Sequence, residues 1–296
     1  MNWKLTAIGF SFAVLWASAS SATKVSLISA QPFVIAVSRF FMAGAIMLLF
    51  AHGVRGYRLP KDQEWQQLMV YGLLNISIYL GLYVIGMQKI SAGLGTLAIG
   101  LNTVFISIMA SLLLKQKLNR QNLISLFICL LGVSVAAYPL LQTSYASIEG
   151  ILIILGSMLA YSAGAIFFSK TNWNGLDIIT INGWQTLLGG VFLVPLLLLT
   201  YEGSRNQYDT NFWSGTIWLA IPVSIVAVQC WLWLLKRNAV SASYWLFLCP
   251  VVGFLLSAWL LKEPLSWYTA AGVVLVLIGL YARDTKKGMV VRNIQE

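Results

Sequence analysis

Residues 88–116 read QKISAGLGTLAIGLNTVFISIMASLLLKQ, and residues 235–263 read LKRNAVSASYWLFLCPVVGFLLSAWLLKE. Each holds an apolar run, at 92–114 and 241–261, closed by a lysine. About 20 mainly apolar residues are what a helix needs to cross the hydrocarbon of a bilayer. The two stretches also align with each other. A shift of 147 lays 71–136 on 218–283 without a gap, so that Lys89 meets Lys236, Ala92 meets Ala239, Leu101 meets Leu248, Lys115 meets Lys262, Leu118 meets Leu265 and Gly132 meets Gly279.

Working outward, similar runs fall near 4–24, 32–52, 67–86, 92–114, 121–139, 148–169, 177–200, 212–235, 241–261 and 266–282. Ten spans split by the repeat give five to each half. Five is odd, so the halves must enter the membrane in opposite senses. The fold expected is an all-α membrane protein of ten transmembrane helices in two inverted five-helix repeats, 1–140 and 147–284, followed by a tail at 285–296. The first run also has the outline of a secretory leader, with Lys4, an apolar stretch and then Ala17-Ser18-Ala19. The sixth run has the same small-residue stretch ending in Lys170, so the first run is expected to belong to the fold.

Composition agrees. The chain is 59% hydrophobic and 9% charged, against roughly 25% charged in an ordinary soluble domain. The net charge of +10 is spread singly over the ends of apolar runs. That distribution excludes the basic face of a nucleic-acid binder and suits contacts to anionic lipid headgroups. Lys and Arg also set orientation. With a cytoplasmic N-terminus, the inside holds Lys4, Arg55, Arg58, Lys61, Lys115, Lys117, Arg120, Lys170, Lys236, Arg237, Arg283, Lys286, Lys287 and Arg292, and the outside only Lys24, Lys89, Arg205 and Lys262. A multi-pass protein of the cell membrane is expected, with both termini cytoplasmic, as monomer or homodimer.

The second half resembles the EamA domains of the drug/metabolite transporter superfamily. It does so through Asn238-Ala239-Val240-Ser241-Ala242 before the ninth run, Pro250 within it, Lys262-Glu263-Pro264-Leu265 at its end, and Gly272 with Gly279 in the tenth. The first half is similar through Trp16, Arg39-Phe40 and Gln88-Lys89-Ile90-Ser91-Ala92-Gly93, but has Thr103 where the family usually has proline and Gln116 where it usually has glutamate. The resemblance implies a 5+5 helical carrier, working outward.

No catalytic constellation is visible. Cys129, Cys230 and Cys249 lie in apolar runs and read as packing residues, and His52 reads as a residue of a helix end. No His, Cys, Asp or Glu cluster has metal spacing, and no cofactor or enzymatic activity is expected. Polar groups inside apolar helices remain, and in lipid these face a bundle interior or a cavity. Asn75, Tyr79 and Tyr83 recur every fourth residue, as one helical face would. Thr96, Gly100, Thr103, Ser107 and Ser111, and likewise Gly156, Ala160 and Gly164, read as close-packing stripes. The residues expected to bind substrate are Trp16, Tyr79, Tyr83, Asn102, Tyr161 and Gln229. Arg39 and Glu263 are read as structural or gating groups, with a substrate carboxylate as the alternative for Arg39.

Aside from Glu263 at a helix end, no carboxylate is expected in the interior of a span, so recognition falls to aromatic faces and neutral hydrogen-bonding groups. That suits a small zwitterion or an aromatic metabolite. The function expected is transport, outward, of small organic metabolites such as amino acids by alternating access. The rivals are exchange of nucleotide sugars or phosphorylated metabolites, which needs more deep basic residues than Arg39, and a membrane-embedded lipid-modifying enzyme, which needs acid, base or metal groups converging in the membrane.

Overall fold

A computed structural model describes residues 3–113, 120–142, 145–237, 242 and 244–282. Lys115, Gln116 and Lys117, the turn at 238–241, Arg283, Lys286, Lys287, Arg292 and the tail lie outside the described residues, as do the side chains of Thr103, Ser107, Ser111 and Tyr244.

Every apolar run read from the sequence falls on a helix. Six are long and apolar enough to cross a membrane: α1 (Trp3–Leu27), α2 (Pro32–Val54), α3 (Gln63–Met87), α6 (Ile148–Lys170), α7 (Ile178–Thr200) and α8 (Thr210–Lys236). Four more have shorter described apolar stretches. These are α4 (Ala92–Gly100, then Asn102–Leu113), α5 (Arg120–Leu141), α9 (Leu248–Leu261, entered through a 3₁₀ turn at Tyr244–Phe247) and α10 (Trp267–Ala282). Among the described residues there is no strand, only one isolated bridge between Ile90 and Ala146.

The helices start where the sequence supplies acceptors for their orphan N–H groups. Ser91, Ser147, Asp177 and Asp209 cap α4, α6, α7 and α8 by accepting from Leu94, Gly150, Ile179 and Phe212. Pro32 opens α2, where its missing N–H costs nothing. Three helices carry a π-helical stretch: Leu49–Val54 in α2, Leu73–Ile78 in α3 and Leu219–Ala227 in α8, the last around Pro222. Such stretches re-aim the side chains beyond them and are common at functional sites.

The packing is ordered in pairs. The most extensive contacts join α5 to α10, α2 to α7, α1 to α8 and α3 to α6, and α4 packs on α9. Helix α1 packs on α8 and α9, while α6 packs on α3 and α4; α3 also meets α7, and α8 meets α2. The connections gather at two ends. At one, Gln31 and Asn206 bond across the α1–α2 and α7–α8 loops, Lys89 pairs with Glu149, and the α9–α10 loop reaches the start of α4. At the other, Arg58 holds both Glu64 and the Asn174 carbonyl.

Candidate functional site

The helix pairs α1–α8 and α3–α6 bring aromatic side chains to the middle of the bundle. Tyr161 of α6 is the hub. Its ring lies 4.8 Å from Tyr79, 6.0 Å from Trp16 and 6.3 Å from Trp231, centroid to centroid. Phe12 closes the group, at 5.7 Å from Trp16 and 4.9 Å from Trp231, and Tyr83 is 6.0 Å from Tyr79. All six are at most 5% exposed. Four of them, Trp16, Tyr79, Tyr83 and Tyr161, are residues singled out from the sequence.

Several polar atoms here are buried without partners. The Trp16 Nε1 makes no hydrogen bond. The Tyr161 hydroxyl makes none of acceptable geometry, although the Trp231 side chain lies against it. Tyr83 differs: its hydroxyl is 2.6 Å from Ser20 Oγ, which accepts from Thr96 at 2.7 Å and so ties α3, α1 and α4 together. Asn102 is fully buried with both amide atoms unpaired, and Gln229 is half-buried with an unpaired Nε2. Neither has a hydrogen bond or ring contact to the aromatic group, so the structure does not gather them into it.

A second polar system lies beside the first. Arg39 of α2 is 5% exposed and donates from Nε to Ser224 Oγ at 2.8 Å. The Ser224 carbonyl accepts from Asn182 of α7, Gln185 donates to Asn182, and Asn75 of α3 donates to Gln185. Arg39 is also within electrostatic reach of Tyr79 and Tyr83. Asn75 therefore serves α7 rather than the tyrosines that follow it, because the π stretch ending at Ile78 breaks the four-residue stripe. Asn182, Gln185, Ser224, Phe12 and Trp231 were not singled out from the sequence. The polar three meet the same test of polar groups within an apolar run, whereas the two rings are indistinguishable there from ordinary packing aromatics.

Glu263 lies elsewhere. From the α9–α10 loop its carboxylate accepts from the Ala92 and Gly93 N–H groups at 2.6 and 3.0 Å, capping α4. The small-residue stripe of α6 packs only in part: Gly164 abuts Asn75, while Gly156 faces open space.

No group of three or more metal-ligating side chains occurs among the described residues. What the arrangement offers is aromatic faces, unpaired neutral donors and acceptors, and one buried cation. These are means of holding a small organic molecule.

The chain matches the EamA-like transporter family over residues 3–138 and 148–282. It is similar to an uncharacterized transporter of Archaeoglobus fulgidus, 29% identical, with 95% of this chain and 97% of that protein covered. It is also similar to protein PecM of Dickeya dadantii, 26% identical over 94% and 91%, and to a chloroplastic WAT1-related protein of Arabidopsis thaliana, 23% identical over 97% and 70%. A solved crystal structure superposes with a TM-score of 0.71 at 18% identity, covering 100% of both chains.

Proposed function

This chain belongs to the EamA-like transporter family, a multi-pass membrane protein of a transporting family, and from that premise we propose that it is a ten-span carrier of two inverted halves. It moves small organic metabolites such as amino acids by alternating access, out of the cell. The observation that carries this reading is the aromatic group, because its rings come from both halves: α1 and α3 on one side, α6 and α8 on the other. The helix contacts support it. If α1–α5 exchange with α6–α10, the pair α1–α8 becomes α6–α3, α1–α9 becomes α6–α4, and α3–α7 becomes α8–α2, while α2–α7, α4–α9 and α5–α10 map onto themselves. Each of these contacts is present. A two-fold axis in the membrane plane would produce this pattern and would put the substrate where the halves meet.

Exchange of phosphorylated substrates is the weaker reading, since Arg39 is the one buried basic residue among the described residues. The test is counterflow by purified protein in liposomes against a metabolite panel. Uptake of small zwitterionic or aromatic compounds is expected. A folded protein that exchanges none of them, or that exchanges only sugar nucleotides, overturns the proposal.

A further inference from the structure

Among the described residues Arg39 has a charge and no counter-charge. The ion pairs among the described residues are Arg58–Glu64, Lys89–Glu149 and Arg205–Glu202, all at helix ends or in loops. The guanidinium spends Nε on Ser224 and lies 5.3 Å from the Phe40 ring centroid. Among the described residues its two terminal nitrogens have no hydrogen-bond partner, in a side chain that is 5% exposed. A guanidinium does not escape this by releasing its proton. Burying a charge without an opposite one is among the costliest arrangements a protein makes, and within a membrane it usually marks a functional path.

Two features decide what would answer that charge. The free edge is the fork that grips a carboxylate through two parallel N–H···O bonds. Helix α2 packs on the part of α3 that carries Tyr79 and Tyr83, which lie within electrostatic reach of the guanidinium, and Tyr79 leads through ring contacts to Tyr161 and to Trp16 with its unpaired Nε1. We infer that Arg39 is the anion-recognising residue of the central site, and that the substrate carries one carboxylate joined to an apolar or aromatic body that lies against Tyr79, Tyr161 and Trp16. One guanidinium balances a single negative charge, so a phosphate monoester, which carries nearly two, fits less well. This deepens the transport reading and rests on it.

The test separates binding from transport. Thermal melting of the purified protein in detergent is followed against matched pairs: 3-phenylpropionate with its amide, indole-3-acetate with its amide, and phenyl phosphate as the third arm. The wild type is expected to prefer each carboxylate over its amide by about tenfold or more in apparent affinity. Arg39→Gln should erase that preference, and Arg39→Lys should keep part of it. Without ligand, Arg39→Gln and Arg39→Met should melt at or above the wild-type temperature, because an unpaired buried charge has been removed. The inference is overturned if the amides bind as well as the acids, if the preference survives Arg39→Gln, or if phenyl phosphate binds best. It is equally overturned if no probe shifts the wild type at millimolar concentration, or if both uncharged variants melt several degrees lower, which would make Arg39 a structural tie to Ser224. Carboxylate preference without counterflow in liposomes would sink the transport proposal alone; counterflow unaffected by Arg39→Gln would sink this inference alone.

Discussion

Asn102 and Tyr83 are both buried polar side chains, yet one is fully unpaired and the other is bonded. The difference predicts opposite behaviour on truncation. Leaving a buried polar group unsatisfied costs about 1–3 kcal/mol. Asn102→Ala should therefore leave thermal stability unchanged or raise it, while weakening substrate binding by about the same 1–3 kcal/mol if the amide serves the substrate. Binding isotherms and melting curves on one preparation check this, and a variant that melts lower and binds normally refutes it. Trp16→Phe makes the same point by keeping a ring and deleting one N–H. At this scale the sequence was readable where position alone identified a residue, as for Trp16, Tyr79, Tyr83 and Tyr161. It was unreadable where contact depends on helix rotation. Phe12 and Trp231 look like any aromatic in an apolar run, and Asn75 lies within a π stretch, ending just before Tyr79, that a four-residue period does not foresee.

Between elements, Glu263 shows how a charge can sit at a membrane helix end for local reasons. The N–H groups at the start of α4 have no partners within the helix, and Ser91 and Glu263 supply three bonds to them. Glu263→Gln should weaken this cap by about 1 kcal/mol and leave transport intact. If transport driven by a proton gradient disappears while folding and binding persist, the carboxylate belongs to the coupling mechanism instead. The α5–α10 contact makes a second element-scale case. A side chain at Gly272 would meet the Gly132 carbonyl at 2.5 Å and the Ala136 Cβ at 2.6 Å. Gly272→Val should force the helices apart at a cost of about 1–3 kcal/mol or more, seen as loss of a monodisperse peak in size-exclusion chromatography. The sequence marked Gly272 and Gly279 by resemblance and aligned Gly132 with Gly279, not with Gly272. Alignment reports which positions correspond under the repeat, whereas contact reports which ones touch.

Across the whole molecule, the described loops sort themselves into two ends before any orientation is assumed. Gln31, Lys89, Glu149, Asn206 and Glu263 share one end through their bonds, and Arg58, Glu64 and Asn174 share the other. Lys24, in the last turn of α1, is within electrostatic reach of Glu263, which joins the α1–α2 region to the α9–α10 loop. Among the described loops this grouping follows the order of the apolar runs, because run length and loop polarity depend on the chain alone; the turns at 114–119 and 238–241 lie outside the described residues. Which end faces the cytoplasm depends on Lys and Arg. The second end carries Arg55, Arg58, Lys61, Lys170 and Lys236, and the first carries Lys24, Lys89, Arg205 and Lys262 with the acids Glu149, Glu202 and Glu263 beside them. Positive residues stay on the cytoplasmic side, so the Arg58 end should be inside and the α7–α8 loop outside. Single cysteines at Ser204 and Lys170, with Cys129, Cys230 and Cys249 replaced by alanine, test this in whole cells. Both positions are exposed, whereas Asn206 is buried against Gln31 and would report poorly. An impermeant maleimide should label position 204 at once and position 170 only after the cells are opened. The reverse pattern would invert the protein, and with it the direction assigned to transport. Labelling at both positions in intact cells would mean that chains enter the membrane in both orientations, and that the excess of basic residues on one end does not set the topology.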